Sequence, residues 1–427
     1  GSNFYPILFP TIIAIAFLLA TDISLTVGLA PWLYLGFAMI LAKGFGIYVA
    51  GDGSDYMVGG GGIWQRFGSY FALLMMILYV GRTYYWTILR RAFGFSGTQM
   101  VDGYAVWACR ILLVAVGLLC VVFTMMGLPW PIAVLTVLLV LLVFVGMTRI
   151  NCESGMFLNM PRWQPLGVLL GLMGATAMGP QAIMIVALIS VLFTAAPMET
   201  FMPFFVNGLK ICSSQEIRPA RAGATGMLTY IVVLAVAVPT VLWATHNFGL
   251  DRAGPAGGGG RWSTGILPYY YYDAADGLVT ELKNDSKLTY SQELKTGGRM
   301  KESGKWLKNS GEAHKFLLWA GLGIAGVLTL TALRLRLPWW PLHPMLFAIW
   351  GTRLTATVGA SFLIGWMIKS AVTNLGGKSS YQTTRKLMFG FLAGDLLAAL
   401  IFMLIGMAYY KATGKPPANY NFLPIIN

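Results

Sequence analysis

The chain has 427 residues, 57% hydrophobic and 11% charged, with a mean hydropathy of +0.68. A water-soluble domain carries roughly twice that charged fraction, so a soluble globular enzyme or adaptor is excluded. The net charge of +14 is scattered over helix ends and loops rather than gathered on a basic face with interleaved aromatics. Nucleic acid is therefore excluded as a partner, and positive-inside bias with contact to membrane lipids accounts for the charge.

Apolar runs of about 20 residues recur along the whole sequence, each long enough to cross a bilayer core. The fold class is all-α: a polytopic helical membrane protein with about nine or ten membrane segments. In chain order, Phe4 to Ala20 is apolar and ends in Thr21-Asp22-Ile23-Ser24. A second run from Leu25 to Ala50 carries Pro31 and Lys43, which puts Asp22 in a polar break between two spans or inside a broken helix. The stretch 51–62, with Asp52, Asp55 and four glycines, reads as a flexible connector. It lacks the Lys-Ser/Thr signature of a phosphate loop.

Ile63 to Leu89, Tyr104 to Met126 and Pro131 to Met147 read as spans. Arg90, Arg91, Arg149 and Arg162 mark cytoplasmic ends, which leaves the Asp52/Asp55 loop outside. The 164–196 run is interrupted at Met178-Gly179-Pro180 and flanked by basic residues at both ends. An even number of crossings favours a re-entrant or broken pair hinged at Gly179 and Pro180, with one long kinked helix as the alternative. Pro197 to Leu209 is too short to span and reads as interfacial, and Ala222 to Ala244 crosses again.

From about 248 to 313 the composition turns polar, with the run Tyr269 to Tyr272 and a Lys/Glu-rich stretch. This region reads as an external lid, a partner-docking arm or a partly disordered insertion. Lys315 to Leu333 re-enters. Pro338-Trp339-Trp340-Pro341-Leu342-His343-Pro344 then opens a second interrupted element, 339–376, with breakers at Pro341 and Pro344. Leu354 to Val372 and Leu387 to Tyr410 are the last spans. The expected organisation is a membrane bundle over 1–247, an extramembrane arm over 248–313, a second bundle over 314–410 and a polar tail over 411–427. Interrupted elements in both halves are the sequence pointer to a transporter with an internal repeat.

The chemistry rests on charges inside apolar runs, which are costly at that depth and face a protein interior or an aqueous cavity. Asp22 and Asp395 are candidates for proton or cation coupling, because a carboxylate in a dry bundle can change protonation state. Arg82 and Arg353 are candidates to pair with them or to bind an anionic substrate group. Lys43, Lys369 and Arg110 snorkel, form structural ion pairs or join the pathway. Glu153, in Asn151-Cys152-Glu153-Ser154-Gly155, borders the first broken element and reads equally as a solvated loop acid. Three histidines, no hydrolase or dinucleotide motif and no zinc spacing argue against an enzyme, a metal site or a cofactor. The four cysteines, Cys109, Cys120, Cys152 and Cys212, show no disulfide framework.

Several segments carry a resemblance. They are Phe9-Pro10 with Ala20-Thr21-Asp22-Ile23-Ser24-Leu25, Gln65-Arg66-Phe67-Gly68 with Gly81-Arg82, and Glu153-Ser154-Gly155. His343-Pro344, Gly365-Trp366-Met367-Ile368-Lys369, Gly376-Gly377-Lys378 and Gly390-Phe391-Leu392-Ala393-Gly394-Asp395 complete the set. Together they resemble an uncharacterised family of planctomycete-type bacterial multi-pass membrane proteins, distantly similar to oligopeptide transporters. The resemblance implies relatives longer at the N-terminus. It also implies a bacterial inner-membrane location and a transporter-like body for a small peptide or a polar organic or chelate substrate. The second reading is a non-transporting scaffold subunit of a larger membrane complex that holds partners through 248–312, whereas a homo-dimer, also through 248–312, would accompany the transporter reading.

Overall fold

The computed structural model describes residues 7–49, 58–95, 100–155, 160–194, 200–249 and 267–415. Among these residues every regular element is a helix. The N-terminal series is α1 (Pro10–Leu18), α2 (Thr21–Phe45), α3 (Gly61–Val80), α4 (Arg82–Ala92), α5 (Gly103–Met125) and α6 (Trp130–Ser154). There follow α7 (Pro165–Met178), α8 (Pro180–Thr194), α9 (Phe201–Ser214) and α10 (Pro219–Phe248). The last are α11 (Leu267–Asn284), α12 (Leu288–Glu293), α13 (Thr296–Asn309), α14 (Gly311–Arg336), α15 (Leu346–Ile349) and α16 (Arg353–Thr413). Seven of them are long and apolar enough to cross a membrane, and α7 and α8 are shorter apolar helices. The protein is an all-α, multi-pass helical membrane protein. Asp52, Asp55, Met198, Glu199, Gly257 to Gly260 and the tail beyond 415 lie outside the described residues.

The chain forms two compact units, one of residues 1–53, 153–162 and 325–427, the other of 54–152 and 163–324. In the first unit α1 starts with Pro10 in its opening turn, where a missing N–H costs nothing. It stops at Leu19 and Ala20, both extended. The Phe9 N–H donates to Ser361 Oγ at 3.0 Å and Lys369 reaches Leu19, so α1 runs in the same direction as residues 361–369. α2 then returns, with Gly28 on Leu363 and Pro31 on Gly359. A Cβ at Gly28 would stand 2.9 Å from the Leu363 nitrogen, so the close approach of the two helices requires glycine.

The 61 residues of α16 are not one straight helix. Gly377 sits at φ 64°, ψ −161°, a left-handed backbone that a side chain would strain. Beyond it Met388 packs on Ala14 and Phe17, and Asp395 meets Thr11, so the second arm (378–413) runs back against the first (353–376). α1 is thereby clasped between the arms, with Tyr381 stacked on Phe17 at 5.4 Å between centroids. Each arm exceeds the about 20 residues a crossing needs. Pro341 and Pro344 lie in the irregular stretch between α14 and the single turn α15. That stretch leads into a cluster of Ala30, Tyr34, Leu330, Leu346 and Trp350.

In the second unit α3 and α14 touch backbone to backbone: a Cβ on Gly323 would come 2.0 Å from the Gln65 carbonyl oxygen. Trp163, fully buried, meets Phe67 and Tyr70 edge-on at 5.3 and 5.7 Å. α7 and α8 break at Gly179 (φ 76°, ψ 160°), with a second break at Gly174 (φ 75°, ψ 155°). The Gln164 amide donates to the Thr194 carbonyl at 3.3 Å, and the Thr194 hydroxyl donates to the Gln164 side-chain oxygen. The far ends of α7 and α8 therefore meet, which makes the pair a helical hairpin rather than one kinked helix.

Within the polar region 248–313, residues 267–309 form the three helices α11, α12 and α13, with α11 against α8 and α13 against α7. The reason is amphipathicity: Tyr271, Ala275 and Leu282 are buried while the charges of α11 face outward. At the hairpin tip the Arg299 guanidinium donates to the carbonyls of Ala177 (3.0 Å) and Met178, and to Leu294 on its own segment (3.0 Å). Trp306 Nε1 donates to the Gly171 carbonyl at 3.1 Å. Burial lowers the Arg299 pKa from its usual value, and the carbonyl dipoles offset that loss of water.

Candidate functional site

Three of the sequence-predicted charges, Asp22, Lys369 and Glu153, come together in the first unit, around the reversal between α1 and α2. A helix that stops inside an apolar segment leaves its last carbonyls without intrahelical partners. Here the Ser24 hydroxyl, fully buried, donates to the Ala16 carbonyl at 2.6 Å. The Lys369 ammonium, on the first arm of α16 and 9% exposed, donates to the Leu19 carbonyl. The partial negative end of α1 thus faces a cation. The partial positive end of α2 carries Asp22 in its first turn, the matching sign. Asp22 also acts electrostatically on the Lys369 ammonium.

Asp22 Oδ2 accepts from Arg334 at 2.7 Å, with both side chains partly exposed at 29% and 44%. The partner is neither Arg82 nor Arg353. Arg82 lies exposed at the start of α4, its guanidinium 4.6 Å above the Tyr79 ring. Arg353 is the exposed first residue of α16, and Lys43 is exposed in the last turn of α2. Arg334 comes instead from the last turn of α14. Arg110 donates to the Ala92 carbonyl at 2.9 Å and so closes the end of α4.

A second chain of contacts extends the cluster. The Thr26 hydroxyl donates to the Asp22 carbonyl at 2.6 Å and accepts from the His343 backbone N–H at 2.8 Å. His343 is buried, and its Nδ1 accepts from the Met345 N–H at 3.2 Å. In the neutral ring the proton therefore sits on Nε2, which faces Glu153 Oε2 at 3.7 Å. Glu153 lies in the last turn of α6, partly exposed, beside the buried Ser154. A Cβ on Gly155, two residues on, would meet the Leu19 side chain at 2.7 Å.

The site therefore gathers two carboxylates, an ammonium, a guanidinium and an imidazole around one helix break. It brings His343 Nε2 and Glu153 Oε2 to 3.7 Å, just beyond hydrogen-bond length. It can also offer both signs of charge to a zwitterion at Asp22 and Lys369. Sequence reasoning named Asp22, Glu153 and Lys369 but left His343 and Arg334 out. The signals were His343 set between Leu342 and Pro344, and Thr26 one helical turn after Asp22.

Asp395 stands elsewhere in the unit, on the second arm of α16, where it accepts a hydrogen bond from the Thr11 hydroxyl. It lines an open groove of about 520 Å³ with Pro10, Leu387, Gly390, Phe391, Gly394 and Ala398. Gly179 and Pro180 form the tip of the α7–α8 hairpin in the second unit. That unit also buries Arg66 completely on α3. Among the described residues no group of three or more His, Cys, Asp or Glu is placed to hold a metal.

Comparison with curated proteins gives no match, and comparison with solved structures gives none either. One family pattern covers nearly the whole chain, over residues 3–287 and 286–416. The chain belongs to that family, a family of unknown function designated DUF6785.

Proposed function

We propose that this protein is a secondary-transporter-like carrier of a small peptide or of another polar organic or chelate substrate, driven by protons or cations. The single observation that supports it is the α1–α2 break, where Asp22 and Lys369 hold opposite signs beside the two helix ends. Discontinuous helices with charge-matched ends inside apolar segments are the usual architecture of substrate and coupling-ion sites in carriers. Asp22 would serve as the coupling carboxylate, because its partial exposure lets water reach it and Arg334 supplies a counter-charge when no proton is bound. Glu153 and His343 would relay the proton. The resemblance to oligopeptide transporters points the same way, and the positive-inside pattern fits a bacterial inner membrane.

Reconstituted vesicles loaded with a pH-sensitive dye test this reading. Addition of a tryptic peptide digest should acidify the lumen for the wild type, and Asp22→Asn should abolish the signal. Equal acidification by the variant would refute the assignment.

A scaffold reading draws on α10, whose apolar span has no buried residue. Purification in mild detergent separates the two: a fixed stoichiometric partner of different sequence favours the scaffold.

A further inference from the structure

The arm of α11 to α13 meets the α7–α8 hairpin through more than the apolar face of an amphipathic helix. Pro180 has no N–H, so the ladder of α7 stops at the tip and its last carbonyls are left to other donors. Four backbone carbonyls from three places then converge on one guanidinium. Arg299 Nη1 donates to Ala177 (3.0 Å) and to Met178 at the tip, Nη2 donates to Ser291 on α12 (3.4 Å), and Nε donates to Leu294 (3.0 Å). Gly179 leaves room for the group: a Cβ there would stand 2.6 Å from Arg299 Nη1.

Trp306 lies seven residues further along, on the same face of α13 as Arg299. It donates to the Gly171 carbonyl at 3.1 Å, and its ring lies over Gly174, where a Cβ would stand 2.6 Å from it. One helix face thus covers both left-handed glycines of the hairpin, one with an indole and one with a guanidinium.

The cage at the tip is selective. All three guanidinium nitrogens are engaged, and each of these acceptors is a neutral carbonyl. Acceptors spread around a planar fork suit a guanidinium, whereas a compact ammonium donates from one point and reaches only part of them. The Ala177 and Met178 carbonyls also carry the partial negative charge of the α7 C-terminus, which favours a cation over a neutral amide. Arg299 is partly exposed, so water reaches the cage.

We infer that the hairpin tip, closed by the arm, is a guanidinium-binding site that Arg299 fills as a built-in ligand, and that a small guanidinium compound takes it when that side chain is withdrawn. The cage joins hairpin to arm, so its occupant fastens the two together whichever molecule supplies it. The site needs neither Asp22 nor Lys369 and stands or falls independently of the transport reading.

The test uses the full chain in one detergent, with methylguanidinium chloride as the probe and methylammonium and potassium chloride at equal concentration as controls. Cleavage by glutamyl endopeptidase at Glu293 and Glu302, the first exposed and the second partly so, reads the docking of the arm. Arg299→Ala should be cut several-fold faster than the wild type. Methylguanidinium at about 10 mM, the order of a tethered group's effective concentration, should return the variant to the wild-type rate and raise its melting temperature. Methylammonium and potassium should do neither, and the wild type, its cage filled, should respond to none of the three. Gly179→Ala added to Arg299→Ala should cancel the protection, because its methyl stands where the Nη1 nitrogen belongs. Arg299→Gln, which keeps part of the stem without the charge, gives the same comparison where the alanine variant does not fold. Protection by all three salts alike, protection by none, or protection that survives Gly179→Ala overturns the inference.

Discussion

Replacing Lys369 by Met tests the reasoning about the helix break most directly, because the methionine keeps most of the buried stem and removes only the ammonium. Two interactions disappear. The first is the hydrogen bond to the Leu19 carbonyl, made by a charged donor and worth about 1.5–3 kcal/mol. The second is the approach of the ammonium to the Tyr381 ring, 5.8 Å from the centroid, worth about 0.5–1 kcal/mol. The gain is relief from burying a charge that is 9% exposed, which offsets part of the loss. The net expectation is a destabilisation of about 1–3 kcal/mol. Unfolding followed by tryptophan fluorescence in a fixed detergent, with Lys43→Met as the exposed control, measures it. Lys369→Arg should recover part of the loss, because a guanidinium also donates to a carbonyl. If Lys369→Met matches Lys43→Met within about 0.5 kcal/mol, the range of ordinary surface substitutions, then the cation does not secure the break and the reasoning fails.

Arg299→Ala should loosen the arm from the hairpin tip, since the carbonyls of Ala177 and Met178 lose their charged donor at a cost of about 1.5–3 kcal/mol. Limited trypsin digestion should then cut within 283–308 several times faster than in the wild type. Arg299→Lys should rescue little of this, because one ammonium cannot reproduce the fork that reaches several carbonyls. A pair of glycine substitutions separates close packing from open space. Gly323→Ala should cost about 1–3 kcal/mol, because its methyl meets the Gln65 carbonyl. Gly394→Ala should be neutral or stabilising by up to about 1 kcal/mol from helix propensity alone. Thermal unfolding of the two variants under one condition decides this, and equal costs would contradict the packing described.

The parts of this fold that local chemistry dictates were readable from the sequence. Gly179-Pro180 announces a break because proline cannot continue the preceding helix and glycine accepts the left-handed backbone that turns it. The apolar runs at 354–372 and 387–410 announce two crossings, while the turn between them at Gly377 shows only in the structure. The break at Gly174 was not readable, since a lone glycine in an apolar helix is as often tolerated as broken. The pairing of Asp22 with Arg334 was not readable either: the two lie 312 positions apart, and nothing local distinguishes Arg334 from a snorkelling end charge. His343 shows the same limit. Its neighbouring prolines suggested a boundary, but burial against Glu153 depends on a segment of the chain that arrives from α6.

The two breaks obey one rule despite their different surroundings. In an apolar segment an interrupted helix exposes carbonyls that water cannot reach, and each unmet group costs several kcal/mol in lipid. At Leu19 the group that meets them is Lys369, and at Ala177 and Met178 it is Arg299. Both cations are carried by distant parts of the chain, 350 and 122 positions away respectively. A hydroxyl would satisfy one carbonyl, as Ser24 does for Ala16, but a cation also neutralises the partial negative charge of the helix end. The difference between the breaks lies in what surrounds the cation. Arg299 donates to the carbonyls of Ala177, Met178, Leu294 and Ser291. Lys369 sits beside Asp22, which is itself partly exposed and shared with Arg334. The α1–α2 break therefore sets its cation beside a carboxylate, whereas the hairpin tip at Gly179 sets its cation among carbonyls.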